Sequence, residues 1–240
     1  MGNWEINPAT NRAKHGQRRH QILAIAGQLV ASEGLEGLKM PVISRELGIS
    51  TPALYRHFPS KESLVAELAL RVMDEIHSVL KRAQTERPLT GFEKLGRFSG
   101  AYLELALTDP VTTALLCTFV TDPRRLVTGP ASEEIWGLAS RWWRDLEVCL
   151  EEIGVGSEST RELAWGLWTA LQGQLGAQKF AERRGDIDIR RSSALSTFGM
   201  IAGFASHSSR DGLEDWCRAF TDGASICESA REERKQWWEL

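Results

Sequence analysis

Apolar side chains recur with the spacing of an α-helix along nearly the whole chain. Near the start, Ile22, Ile25, Ala26 and Leu29 fall at i, i+3, i+4 and i+7, which predicts an amphipathic helix over about 18–32. A second apolar stripe predicts a longer helix that begins at Ser60 and ends before Pro88, and it consists of Leu64, Leu68, Val72, Ile76 and Val79 or Leu80. At about 1.5 Å per residue this helix is roughly 35 Å long, so it could connect two distant sites.

Every later segment also has a helical pattern, and no segment reads convincingly as a strand. The expected helices run over 92–106, 111–120, 135–153, 157–182, 189–208 and about 213–233, with a Pro- and Gly-containing loop over 121–131. The pattern therefore predicts an all-α fold.

Residues 46–64 have the pattern of a helix, a tight turn and a second, short helix. Gly48 suits the turn because glycine adopts a positive φ without a steric penalty. Ser50 and Thr51 are both candidates for the N-cap of the short helix. Leu54 and Phe58 lie one turn apart and would anchor this helix to a core.

The opposite side of the short helix carries small, aromatic and basic side chains. Pro52 and Ala53 allow close approach to a groove, Tyr55 can reach a phosphate or a thymine methyl group, and Arg56 can reach guanine or phosphate. His57 and Lys61 follow where the duplex backbone would pass. These are the properties of a recognition helix in the major groove of DNA.

At these positions the chain resembles the TetR family of bacterial transcription regulators. The resemblance lies in LGIS (47–50), ALYRHF (53–58) and SKESL (60–64), and it covers about the first third of the chain. Family members usually have Ser or Thr at the cap of the second helix and Ala within it, where this chain has Met40 and Ser44. The resemblance implies that Thr51, Pro52, Ala53 and Tyr55 face bases and that His57 and Lys61 face phosphate.

The resemblance also implies a domain organisation. A helix-turn-helix domain would occupy residues 18–64, and an all-helical domain for ligand binding and dimerisation would occupy 65–240. The polar residues 1–17 are expected to form a flexible basic tail, because they show no apolar period. The basic cluster that continues to Arg18 and Arg19 is either a solvated terminus or an arm that contacts DNA phosphates, with Arg18 as the candidate contact.

Small residues form a stripe on each of two later helices. Since Gly inside a helix costs about 1 kcal/mol relative to Ala, such stripes indicate that another helix approaches closely. The approach is either packing within one subunit or a two-fold interface between two copies. The candidate interface residues are Gly166, Ala170, Gly173, Ala177, Ser196, Gly199 and Gly203.

Aromatic residues are the candidates for a small-molecule pocket. Aromatic walls with a few polar groups suit an apolar ligand, and stacked rings could hold a cation. The alternative is that each is a core residue. Trp168, Gln172 and Gly173 weakly resemble a W-x-x-x-H-G pattern of one TetR subgroup, with Gln in place of His. The candidate lining is Phe98, Tyr102, Phe119, Trp136, Trp142, Trp165, Trp168 and Gln172.

Composition and charge exclude several other classes. The 240-residue chain has a net charge of −3, so any affinity for DNA must come from a local patch. Its four cysteines contain no CxxC pair, which argues against a zinc site or a disulfide framework and suits a reducing cytoplasm. No membrane span is predicted, and no catalytic motif, metal or cofactor is expected.

The sequence therefore predicts a homodimeric, ligand-responsive repressor that binds a palindromic DNA operator and is released by a small effector. One alternative is a helical small-molecule binder or enzyme that uses its N-terminal unit only for non-specific DNA docking. Another is a regulator that binds DNA constitutively, for which a densely packed interior would be the sign.

Overall fold

The computed structural model describes residues 8–85, 88–121, 131–202 and 210–238, with side chains described over 16–85, 88–119, 132–157, 159–202 and 212–228. All regular elements within these ranges are helices, as predicted. They are α1 Pro8–Gly37, α2 Met40–Glu46, α3 Thr51–Tyr55, α4 Lys61–Thr85, α5 Gly91–Thr108, α6 Pro110–Thr121, α7 Ala131–Glu152, α8 Ser157–Arg184, α9 Ile189–Ala202 and α10 Arg210–Trp238.

Several helices extend beyond their predicted limits, and the first and the last do so by the most residues. The first helix begins at Pro8, so it includes residues 8–17, which the sequence analysis assigned to a flexible basic tail. Polar residues without an apolar period can continue a helix that is already anchored, because propagation is easier than nucleation. Gly34, with φ of 70°, interrupts α1 near the expected end. The last helix likewise runs past the predicted 213–233 at both ends.

The long helix α4 joins the N-terminal helices to the rest of the protein. Ser60 and Ser63 form its N-terminal box, because Ser63 N donates to Ser60 Oγ at 3.1 Å and Ser60 N donates to Ser63 Oγ at 3.2 Å. The predicted apolar stripe is buried along the whole helix. One face of α4 packs against α1, and the helix also contacts α5, α6, α7 and α10.

Helix α5 is the centre of the C-terminal part and is crossed closely by α10. A capping box of Thr90 and Glu93 begins α5, and almost all of its side chains are buried. At the crossing, a Cβ added to Gly96 would lie 2.8 Å from Ala219 Cβ, and one added to Gly100 would collide with the carbonyl of Phe220. A four-residue spacing of glycines on α5 therefore lets two backbones meet.

Polar contacts add to this packing around α5. The guanidinium of Arg97 donates to Asp222 of α10 at 2.9 Å. The carboxylate of Glu104 is buried and accepts two hydrogen bonds from Arg190 of α9, at 2.6 and 2.9 Å. The pairing matters because a buried carboxylate without a partner would be strongly destabilising.

Candidate DNA-binding surface and effector region

The recognition helix is built as the turn pattern predicted. Gly48 has φ of 62°, so the chain turns sharply between α2 and α3. Of the two possible caps, Ser50 is used: its Oγ accepts from Ala53 N at 3.4 Å. Leu54 and Phe58 are fully buried, in the same core as apolar residues of α1, α2 and α4.

The hydroxyl of Thr51 joins α3 to α2. Its Oγ1 lies 3.0 Å from Ser44 Oγ, and Ser44 also donates to the carbonyl of Pro41 at 3.1 Å. The hydroxyl of Ser44, which stands where family members usually have Ala, therefore links α2 to α3. Thr51 remains half-exposed, so its methyl group can still face a groove.

The outward side of α3 carries residues that the sequence analysis predicted to contact DNA. Pro52 and Arg56 are exposed, and Tyr55 has an exposed fraction of 44%. Ala53 is half-buried. Since Tyr55 is not part of the core, its ring is available for contact with DNA.

The basic residues near α3 differ in how they are engaged. Lys61 Nζ donates to the carbonyl of Leu35 at 3.2 Å, so it helps to close the end of α1, although an ammonium group still has further protons to donate. Arg18 and His57 are half-buried. Partial burial and the nearby charge of Arg71 lower the pKa of Arg19, whose side chain contacts α4 and the segment after α3.

Most of the predicted pocket residues form a packed core. Phe98, Tyr102, Phe119, Trp142, Trp168 and Gln172 are all buried. At its centre, the Tyr102 hydroxyl oxygen accepts from Trp168 Nε1 at 3.0 Å and from Gln172 Nε2 at 2.8 Å. Burial raises the pKa of Tyr102, so it stays protonated. Trp168 and Gln172, two residues of the W-x-x-x-H-G resemblance, thus hold the Tyr102 hydroxyl by hydrogen bonds.

Trp136 and Trp165, by contrast, are exposed and belong to an aromatic array on α7 and α8. Their exposed fractions are 39% and 53%. Trp143, which the sequence did not single out, joins them, with ring centroids 6.5 Å from Trp136, 5.5 Å from Trp165 and 5.6 Å from Trp168. Phe119 extends the array, 5.1 Å from Trp136. Trp143 lies two turns after Trp136, so its helical spacing was a usable signal.

A small cavity lies beside Phe119, one of these rings. This cavity, between α4, α6 and α7, measures about 10 Å³, which is about the room of one water molecule. A larger surface cleft of about 240 Å³ lies between α8 and α9. Its polar groups are already paired: Gln178 donates to Glu182 at 2.9 Å, and Arg190 binds Glu104.

The candidate interface residues divide into two groups. A Cβ on Gly166 would lie 2.8 Å from Met200 Cε, so this glycine allows α8 to approach α9 within the subunit. Gly173, Ala177 and Gly199 are exposed instead, and no described atom lies within 4 Å of a Cβ added to either glycine.

Three candidates for the interface remain, and they belong to neither group. Ala170 and Ser196 are half-buried. Gly203 lies outside the described residues. Phe180 and Leu195 add exposed apolar area on the same two helices, with exposed fractions of 66% and 43%.

The described residues contain no group of three or more His, Cys, Asp or Glu side chains placed to hold a metal ion. Within the same ranges, no helix is both long and apolar enough to cross a membrane.

Comparisons with known proteins identify the N-terminal unit. The family model described as bacterial regulatory proteins, tetR family, matches residues 22–68, which include α2, α3 and the start of α4. The HTH-type transcriptional regulator YobS of Bacillus subtilis (strain 168) is 27% identical over 186 residues, or 76% of this chain and 91% of that protein.

Other relatives match about a third of the chain or less. The HTH-type transcriptional repressor KstR2 of Rhodococcus jostii (strain RHA1) is 36% identical over 29% of this chain and 34% of its own length. The HTH-type transcriptional activator FasR of Mycolicibacterium smegmatis is 32% identical over 32% of this chain and 35% of its own.

Solved structures extend the likeness of fold to most of the chain. A TetR transcriptional regulator from Legionella pneumophila is similar with a TM-score of 0.60 and 24% identity, over 78% of this chain and 96% of that one. A transcriptional regulator from Saccharomonospora viridis, solved in complex with choline, has a TM-score of 0.62 and 20% identity, over 76% and 95% of the two chains.

The fold and the exposed recognition helix define a DNA-binding transcriptional regulator of the helix-turn-helix class. Residues 22–68 match the tetR family of these regulators, and the chain is similar to regulators of this kind over most of its length.

Proposed function

We propose that the protein is a homodimeric repressor that binds a palindromic operator in the cytoplasm and is released by a small effector. The observation that carries this proposal is the outward side of α3, where exposed Tyr55 and Arg56 stand on a helix anchored by buried Leu54 and Phe58. Thr51, Pro52, Ala53 and Tyr55 face bases, and Arg56 contacts guanine or phosphate. Arg18, His57 and Lys61 bind phosphates.

The open side of α8 and α9 supports the dimer. Gly173, Ala177 and Gly199 leave space that no described side chain fills, and Phe180 and Leu195 border it with apolar surface. Two copies related by a two-fold axis would cover this surface. A dimer also places two recognition helices about 34 Å apart, which two successive major grooves require.

The aromatic array on α7 and α8 supports an effector that is apolar or cationic. Tilted indole rings with exposed faces attract a cation, and ring contact also suits an aromatic ligand. A structural neighbour of the same fold was solved in complex with choline, a cation of this kind. Because α7 packs on α4, an effector held beside α7 can change the tilt of α4 and thereby the separation of the recognition helices.

The coupling between effector and DNA must be reciprocal. An effector that binds better to a dimer with the wrong separation weakens DNA binding, and DNA weakens effector binding by the same factor. We propose that DNA binding represses transcription, as the name of the relative KstR2 says of that protein. The relative FasR, by contrast, is named an activator.

A second candidate function is constitutive DNA binding without an effector. The small volume of the cavity between α4, α6 and α7, about 10 Å³, favours it. Under the main proposal the effector enters by opening this region or by binding to the exposed rings.

The test is a footprint of the purified protein on DNA around its own gene, at about 0.15 M salt so that screening resembles that in the cell. A protected palindrome supports the dimeric operator, and adding choline and aromatic cations to the complex tests release. Protection that no compound relieves favours the constitutive binder. Weak binding that does not distinguish the site from random DNA contradicts the proposal.

Substitution tests the DNA-contacting side of α3. Tyr55→Ala should abolish operator binding while leaving the protein folded and its oligomeric state unchanged. Trp136→Ala, which removes another exposed aromatic residue far along the chain, is the matched control and should keep operator binding. Wild-type affinity of Tyr55→Ala would show that another side of the helix faces DNA.

A further inference from the structure

Arg19 joins three parts of the DNA-binding unit through one guanidinium group. It donates to the carbonyl oxygen of His57 and to Oε2 of Glu67, and it lies 4.2 Å from the centroid of the Phe58 ring. Arg19 is on α1, Glu67 is on α4, and His57 and Phe58 follow directly after the recognition helix. The side chain therefore holds the C-terminal end of α3 against both long helices.

The surroundings of Arg19 belong to the same network. Arg71, one turn after Glu67 on α4, lies 3.8 Å from Glu67 Oε1 and donates to Nδ1 of His20 on α1 at 3.2 Å. Glu67 is thus shared by two arginines, and α1 and α4 are joined at two successive turns. The charge of Arg19 is engaged within the protein, unlike that of a side chain extended towards DNA.

We propose that Arg19 is a positioning residue that orients the recognition helix relative to α1 and α4, and that it does not act as a phosphate contact. Its planar fork is suited to this role, because guanidinium can bind a carboxylate and a carbonyl in fixed directions and still stack on a ring. Since Glu67 moves with α4, a change in the tilt of α4 reaches α3 through Arg19. The inference rests on the proposed reading of DNA by α3.

One arm of the test needs no DNA. Amide hydrogen exchange over residues 53–58 is compared in the full-length wild-type protein and in Arg19→Gln, Arg19→Lys and Arg18→Gln. Arg19→Gln and Arg19→Lys should speed exchange in this segment roughly 10- to 100-fold, the range expected for loss of a charged hydrogen bond. Arg18→Gln is the matched control and should leave it unchanged. Unchanged exchange in both Arg19 variants overturns the proposal.

The second arm measures binding to a duplex that the wild-type protein selects from random DNA and to an unselected duplex, over a range of salt. Arg19→Lys and Arg19→Gln should both weaken binding to the selected duplex, with the same salt slope and unchanged affinity for the unselected one. A phosphate contact would give the opposite result: Arg19→Lys near wild type, and Arg19→Gln weaker on both duplexes with a slope lower by about one.

A double-mutant cycle with Glu67→Gln completes the design. If Arg19 acts through Glu67, the effects of Arg19→Gln and Glu67→Gln on the selected duplex should not add. Additive effects contradict a shared role. If the wild-type protein selects no duplex at all, the proposed operator reading fails, and the exchange arm by itself still decides whether Arg19 positions α3.

Discussion

Two pairs of helices in this protein carry small residues at helical spacing, and they use them differently. On α5 and α10, Gly100 and Gly223 are in backbone contact with the opposite helix, so a Cβ at either position would collide with a carbonyl group. On α8 and α9, a Cβ at Gly173 or Gly199 would meet no described atom within 4 Å. The same pattern therefore marks a covered crossing in one place and an open surface in the other.

The difference shows why a stripe of small residues indicates close approach without identifying the partner. The stripe on α8 contains both cases. Gly166 faces Met200 of its own subunit, whereas Gly173, two turns further along, faces open space. The covered crossing contributes to the stability of one subunit. We interpret the open surface as the place where a second subunit packs.

The largest expected effect comes from filling the covered crossing. Gly100→Ala should lower the free energy of unfolding by about 3 kcal/mol or more, because neither backbone can move aside without displacing buried neighbours. Chemical denaturation at fixed protein concentration measures the change. Gly137→Ala on α7 is the control: no described atom lies within 4 Å of its added Cβ, so stability should rise by up to about 1 kcal/mol.

The next effect comes from a charge on the open surface. Ala177→Glu should raise the dissociation constant of the dimer about 100-fold, since two-fold symmetry brings two unpaired carboxylates into a buried interface. Sedimentation velocity gives the oligomeric state, and circular dichroism checks the helices. Ser78→Glu, on the exposed side of α4, should leave the dimer intact. A dimer of wild-type strength in Ala177→Glu would place the interface elsewhere.

A smaller effect is expected from the ion pair at the covered crossing. Asp222→Asn replaces the carboxylate that pairs with the nearly buried Arg97, whose side chain is 6% exposed, by a neutral amide, and should destabilise the fold by about 1–2 kcal/mol. Asp215→Asn on the same helix breaks an exposed pair with Arg218, where the side chains are 72% and 54% exposed. That change should stay within about 0.5 kcal/mol. Equal losses in the two variants would contradict the distinction.

The smallest expected effect tests whether the surface at Gly173 is open, because the sign of the change in stability differs between an open and a covered site. Gly173→Ala, introduced into the Ala177→Glu variant, should raise the free energy of unfolding by up to about 1 kcal/mol, because Ala is the better helix former and the site is open. In the dimeric protein, the same methyl group should give a smaller gain or a loss. Thermal unfolding of both backgrounds gives the difference. A loss in the monomeric background would mean that the site is covered within one subunit.

The DNA-binding unit was predicted from the sequence in detail, and the effector region only in outline. Caps, the turn at Gly48 and the buried pair Leu54 and Phe58 are all set within a few neighbouring residues. The contact of Thr51 with Ser44, by contrast, joins two helices and was not predicted. In the predicted pocket, six of eight residues are core, and Trp143, whose half-buried ring joins the aromatic array, was overlooked.

The sequence by itself determined the all-helical class, the recognition helix and its outward side, since these follow from periodicity and from interactions between residues close in the chain. Only the tertiary structure decided that Arg19 and Lys61 bind within the protein, that Tyr102 is held by Trp168 and Gln172, and which small residues are covered. These outcomes depend on which helix faces which. Residues far apart in the chain come into contact only when the helices pack, so these contacts cannot be predicted from local periodicity.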